Sequence, residues 1–120
     1  MEPWTLVQVI IAMSYEDTKE KCAEACKECI EVCIIFAKEN KNKPNMTECI
    51  KLVNKCQRKC KEVVADGCND IHLLQDCSQV CDEMVNECAK FDALHSLAIV
   101  ESCRQCRDIC NSFASVSTAL

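Results

Sequence analysis

Apolar and polar positions alternate along most of this chain with the period of a helix. Cys22, Cys26, Cys29 and Cys33 are spaced 4, 3 and 4 residues apart. Residues three and four apart stack on one helix face, so these four side chains form a single stripe. A second stripe is Cys49, Val53, Cys56 and Cys60, continued by Val63 and Val64. A third is Leu74, Cys77, Cys81, Met84, Cys88 and Phe91, and a fourth is Ile99, Cys103, Cys106 and Cys110, extended by Phe113 or Ala114. Lys and Glu fill the other faces, as at Lys19, Lys21, Lys27, Glu28 and Glu31. No segment shows the period of two that a strand requires.

The punctuation between stripes predicts where each helix begins and ends. Ser14 followed by Asp17 resembles a capping box with Asp in place of Glu, which predicts a start for helix 1 there. Residues 1–13 then form a short N-terminal helical arm, with Pro3 at a first helical position and Trp4, Leu6, Val7, Ile10 and Ile11 as its apolar residues. Helix 1 runs to about Asn40. The polar stretch Asn40 to Asn45 is a loop, stopped by Pro44. Asn45 or Thr47 is the expected cap of helix 2, and Asp66-Gly67 its end. Helix 3 starts near Asn69 or Asp70, a short link around Asp92 leads to helix 4, and residues 115–120 are expected to fray. Short connections make neighbours antiparallel. The expected fold is all-α: an up-down-up-down four-helix bundle over residues 14–120, one domain.

Composition sharpens this picture. Fourteen of 120 residues are Cys, with one Gly and two Pro. A loop-rich secreted disulfide scaffold needs many turn residues, so that class does not fit. Residues 6–13 are apolar but lack a basic flank and a small-residue cleavage site. They are also too short to span a bilayer. The reading is a cytoplasmic protein with reduced thiols and no membrane partner. A net charge of −5 with no basic face argues against nucleic acid. No Ser-His-Asp set, phosphate loop or carboxylate pair points to an enzyme.

The chemistry lies in the thiols. One buried Cys packs as a small hydrophobe, and Cys68, which leaves the stripes after Gly67, fits that description best. A thiol stripe on every helix is a different matter, since Leu fills space better and does not oxidise. Disulfides are one alternative. Cys56-x3-Cys60 and Cys77-x3-Cys81 resemble the twin CX3C pattern of small disulfide-bonded helical hairpins, but account for only four of the fourteen cysteines. Neighbours at i and i+4 also sit ~5–6 Å apart on one helix, too far for the Cβ separation of a disulfide. Metal is the other alternative, because soft thiolates select Cu(I), zinc or iron–sulfur clusters. Zinc favours closed tetrahedral sites, usually built with CxxC knuckles in turns. Iron–sulfur clusters favour cysteine runs in loops. Four straight helical seams suit Cu(I), which accepts two or three bridging thiolates. One Cu(I) per thiol exchanges one positive charge for another and keeps the core near neutral. Zinc held by four thiolates leaves two negative charges to bury.

The four seams, Cys22-x3-Cys26-x2-Cys29-x3-Cys33, Cys49-x6-Cys56-x3-Cys60, Cys77-x3-Cys81-x6-Cys88 and Cys103-x2-Cys106-x3-Cys110, resemble the Cys-rich four-helix-bundle copper-storage proteins of bacteria and archaea. The resemblance covers about residues 15–114. It implies a homo-oligomer, a tetramer of bundles, each filled with Cu(I), and a cytosolic store. Val53 and Met84 stand where richer members can have Cys, and His95 follows Phe91 and Asp92 rather than sitting just after the third helix. The candidate copper ligands are therefore the four seams together with Cys68, at roughly one Cu(I) per Cys. In an up-down-up-down bundle, Met46 and His95 share a pole with Cys33, Cys49 and Cys88, while His72 and Cys68 lie at the other. A thioether and an imidazole suit brief capture of Cu(I), so Met46 and His95 are the candidate ligands where copper enters.

Overall fold

The computed structural model describes residues 3–90 and 94–119, with side chains described for residues 15–90 and 97–115. It contains α1 (Pro3–Asn40), a single 3-10 turn (Pro44–Met46), α2 (Thr47–Ala65), α3 (Ile71–Cys88) and α4 (Leu94–Ala119). Each helix packs against the next, and α4 closes the bundle against α1. Neighbours run antiparallel around one central core, and no strand occurs among the described residues.

Three boundaries differ from the sequence expectation. The helix expected to start at Ser14 begins at Pro3 and is continuous to Asn40. No Gly or further Pro interrupts that stretch, so a local capping signal inside it has no break to cap. The expected caps of helix 2 are replaced by the 3-10 turn, with Met46 at the cap position and no side-chain cap. The Thr47 hydroxyl instead donates to the Pro44 carbonyl at 3.5 Å. At the C-terminus, α4 remains helical through Ala119. The link around Asp92, and the side chains of the residues 1–13 arm, lie outside the described residues.

The turn between α2 and α3 follows the expectation. Gly67, at φ +71°, stops α2, where glycine escapes the steric cost of a left-handed backbone. Its N–H donates to Val64 and the N–H of Cys68 to Val63, the paired bonds of a Schellman end. The Asp66 carboxylate accepts from the N–H groups of Asn69 and Asp70. Asp70 then caps α3 by accepting from His72 and Leu73. This short, hydrogen-bonded corner fixes the register of α2 on α3.

The larger apolar residues of the core sit mainly at its ends. Tyr15 packs on Phe113 with ring centroids 5.1 Å apart, and Leu74 and Val63 are buried toward the same end. At the other end Phe36 and Met46 are buried. Asn40 is buried with them and satisfied, donating to the Phe36 carbonyl at 2.8 Å and accepting from Lys43 at 3.0 Å. Between these caps the core is mostly sulfur.

Candidate metal centre

All fourteen cysteines are buried, none more than 2% exposed, and all are free thiols. The seams predicted from spacing are therefore real inward faces, and antiparallel packing brings the four together in layers. The Sγ atoms of Cys26, Cys60, Cys77 and Cys106, one from each helix, lie within 4.8 Å of one another. The same holds for Cys29, Cys56, Cys60 and Cys81, for Cys29, Cys33, Cys56 and Cys103, and for Cys22, Cys26 and Cys110. The groups share Cys26, Cys29, Cys56 and Cys60, so eleven thiols make one connected column.

The close sulfur contacts join different helices. Cys22 lies 3.6 Å from Cys110, Cys26 3.6 Å from Cys106, and Cys60 3.6 Å from Cys77. Cys56 faces Cys81 at 3.7 Å, and Cys29 faces both Cys56 and Cys103 at 3.8 Å. The pairings of Cys56 with Cys81 and Cys60 with Cys77 are those a twin CX3C hairpin would make. Here the hairpin is one side of a larger column, since the same thiols also group with Cys26, Cys29 and Cys106.

Three members stand apart from the helical layers. Cys68 leaves the stripes in sequence, yet the structure returns it to the column. It adopts φ +59°, a left-handed conformation that costs a non-glycine residue roughly 1–2 kcal/mol. The turn carries its buried thiol to Cys22, and hydrogen bonding to Cys22, then burial, pushes the Cys68 thiol up. Cys49 and Cys88 lie 3.9 Å from each other and belong to none of the larger groups among the described residues. Of the candidate entrance ligands, Met46 is 7% exposed in the 3-10 turn. His95 falls in the first turn of α4, its side chain outside the described residues.

Electrostatically the column takes a first charge easily and a full set with difficulty. Hydrogen bonds from Cys106, then Cys110, Cys22 and Cys60, draw the Cys26 thiol down to about 3. Cys106 and Cys26 push the neighbouring Cys60 thiol up, and burial adds to it. Cys110 is likewise pushed up, by Cys106 first, and Cys103 by Cys29 first. A lone thiolate is held by the S–H donors around it; further thiolates meet its charge in a dry core. Filling the column with thiolate therefore needs a cation to offset the buried charge.

The spacing accommodates one. A first-row metal about 2.3 Å from each thiolate separates its sulfurs by about 4.0 Å in a trigonal and about 4.6 Å in a linear arrangement. The observed contacts of 3.6 to 3.9 Å lie just inside those values. They need to open by a few tenths of an ångström for the first and by at most about 1 Å for the second. A disulfide, with its S–S bond near 2.04 Å, needs the helices to close by much more.

Known proteins share the sequence family and the fold. Residues 12–115 match the copper storage protein family. A Bacillus subtilis cysteine-rich protein, YhjQ, is 29% identical over 107 residues, covering 83% of this chain and 99% of the relative. The Cu(I)-bound copper storage protein BsCsp3 superposes with a TM-score of 0.75 at 26% identity, over 81% of this chain and 98% of that one. A mutant of Streptomyces lividans Ccsp gives a TM-score of 0.77 at 25% identity, over 83% and 94%.

Proposed function

We infer, since this chain belongs to the copper storage protein family, that its thiol column is filled by Cu(I) to about one ion per cysteine. Copper storage, a role of binding rather than catalysis, is the function of the bundle. The observation that carries it is the overlap of the thiol groups. Four shared cysteines act as bridges between neighbouring sites, and bridging suits a soft monovalent ion. Cu(I) at one per thiol leaves the core near neutral, whereas side-by-side zinc sites would each bury two negative charges. Copper titration of reduced protein, with elemental analysis of protein taken from cells, tests this reading against zinc and iron. Counting free thiols on protein purified without reductant, air excluded, tests the disulfide reading, whose pairings would be Cys56–Cys81 and Cys60–Cys77; a count near zero supports it. The store fits the cytoplasm, where thiols stay reduced.

Copper entrance is assigned to the pole of Met46. Its thioether sits in the turn that leads into α2, three residues before Cys49, the first thiol of that helix. Changing Met46 and His95 to Ala is expected to slow copper uptake and removal severalfold while leaving capacity nearly unchanged. Slowing instead by changes at Cys68 and His72 would place the entrance at the opposite pole. Exposed Ile34, Ile35 and Leu97 lie toward this same pole on the adjacent helices α1 and α4. Their apolar surface supports a homo-oligomer, a tetramer of bundles. A monomer at micromolar concentration, measured by light scattering, would refute that assembly.

A further inference from the structure

The sulfur column is interrupted near the Met46 pole. On α2, Cys49 and Cys56 are seven residues apart, as are Cys81 and Cys88 on α3. At 1.5 Å per residue this leaves about 10.5 Å along each helix. One antiparallel register sets Cys49 on Cys88, Cys56 on Cys81 and Cys60 on Cys77. The same register sets Val53 opposite Met84. Across the bundle, Cys22 faces Cys110, Cys26 faces Cys106 and Cys29 faces Cys103, which sets Ile99 opposite Cys33. Val53, Met84 and Ile99 are all fully buried. They form an apolar collar on three helices; on the fourth, Cys33 stands level with Ile99, but its thiol groups with those of Cys29, Cys56 and Cys103 rather than with Cys49 or Cys88.

Above the collar, Cys49 and Cys88 have each other. Their 3.9 Å separation suits a two-coordinate ion after slight expansion. Cys49 lies in the first turn of α2, where unpaired backbone N–H groups favour a thiolate. Cys88 is the last residue of α3. Both thiols therefore sit at helix ends, nearer solvent along the bundle axis than the main column.

We propose that Cys49 and Cys88 form a separate two-thiolate Cu(I) site, divided from the main store by the Val53–Met84–Ile99 collar and joined to it through the Met84 thioether. The proposal rests on the copper-storage reading and adds an internal division to it. Copper arriving at this pole displaces the thiol protons of the pair and is held by two sulfurs. To move inward it exchanges one thiolate for the neutral Met84 sulfur and then for a thiolate of the column. The Cu(I) oxidation state is unchanged throughout. The outer ion is then available to acceptors on a different timescale from the inner ones.

The test is removal of copper from the fully loaded, reduced protein by excess bathocuproine disulfonate, followed by the colour of its Cu(I) complex. One ion per chain is expected to leave at least about tenfold faster than the rest, a difference of ~1.4 kcal/mol in barrier. Changing both Cys49→Ser and Cys88→Ser should abolish the fast phase and leave the slow phase in place. Met84→Leu, which keeps the volume of the collar, should leave the fast phase unchanged and slow the remainder. Val53→Cys should narrow the gap and draw the two phases together. Far-ultraviolet circular dichroism confirms that each variant folds. A single phase in the native protein, or a fast phase that survives in the Cys49/Cys88 variant, overturns the proposal. An unchanged slow phase in Met84→Leu overturns the thioether path. A native protein that binds only one or two ions fails the storage reading itself, a result distinct from single-phase release by a fully loaded protein.

Discussion

Reduced protein titrated with Cu(I) is expected to reach saturation at about one ion per cysteine, with charge-transfer absorbance rising in the ultraviolet and no visible d–d band. The bridged column makes the capacity sensitive to its shared members. Cys26 and Cys60 together belong to three of the four thiol groups. Changing Cys26→Ala and Cys60→Ala is therefore expected to lower capacity by more than the two sulfurs removed, because neighbouring ions lose a bridging ligand. The same pair of changes should cost the apo fold only about 1–2 kcal/mol, since each deletes a single core atom. Large loss of copper with modest loss of apo stability separates a ligand role from a packing role. Inductively coupled plasma measurement of bound copper, alongside denaturant unfolding of the apo protein, reads both quantities. Saturation of the native protein at one or two ions would sink the storage reading.

The four thiol seams are legible in the sequence because helical period is a one-dimensional signal: Cys22, Cys26, Cys29 and Cys33 announce a face without reference to any neighbour. The contacts across the core need the register between helices. Val53 and Met84 are visible as gaps in two stripes, but only the pairing of Cys49 with Cys88 and Cys56 with Cys81 sets those gaps side by side. Cys68 is the hardest residue to place from sequence. Its position depends on two consecutive left-handed residues, Gly67 and Cys68, and a turn of that kind carries a side chain off any periodic pattern. Ser14 misleads for the opposite reason. A capping box is a local signal, and uninterrupted helix-forming sequence on both sides outweighs it. The family that residues 12–115 match is named for copper, the metal that spacing and charge favour over zinc.

Copper loading is expected to raise the thermal midpoint by at least about 15 °C at neutral pH. One ion held at a free concentration about 1,000-fold above its dissociation constant adds about 4.1 kcal/mol, and each kcal/mol shifts a domain of this size by roughly 4 °C. Several ions binding only the folded chain exceed that. The apo protein should also lose stability in alkali. Hydrogen bonding to neighbouring thiols first, and burial next, raises Cys60, Cys103 and Cys110 above the ordinary thiol value of 9.0. Hydrogen bonding to Cys22 and burial do the same for Cys68. The folded chain keeps these protons when the unfolded chain releases them. Their contribution is complete below 9.0 and declines as pH rises beyond it, because the unfolded state then binds fewer protons. Cys26 and Cys56, lowered to about 3 and about 2, act in the opposite sense and contribute fully above 9.0. The change with pH above 9.0 is thus governed by the raised thiols. In the loaded protein Cu(I) has replaced the protons, so the midpoint should stay nearly level across the same alkaline range and fall instead in acid, where protons compete for the thiolates. Differential scanning calorimetry of apo and loaded protein at stepped pH reads both effects. Equal midpoints for the two forms at neutral pH, or an apo midpoint that climbs as pH passes above 9.0, would contradict a core whose raised thiols keep their protons until a monovalent metal displaces them.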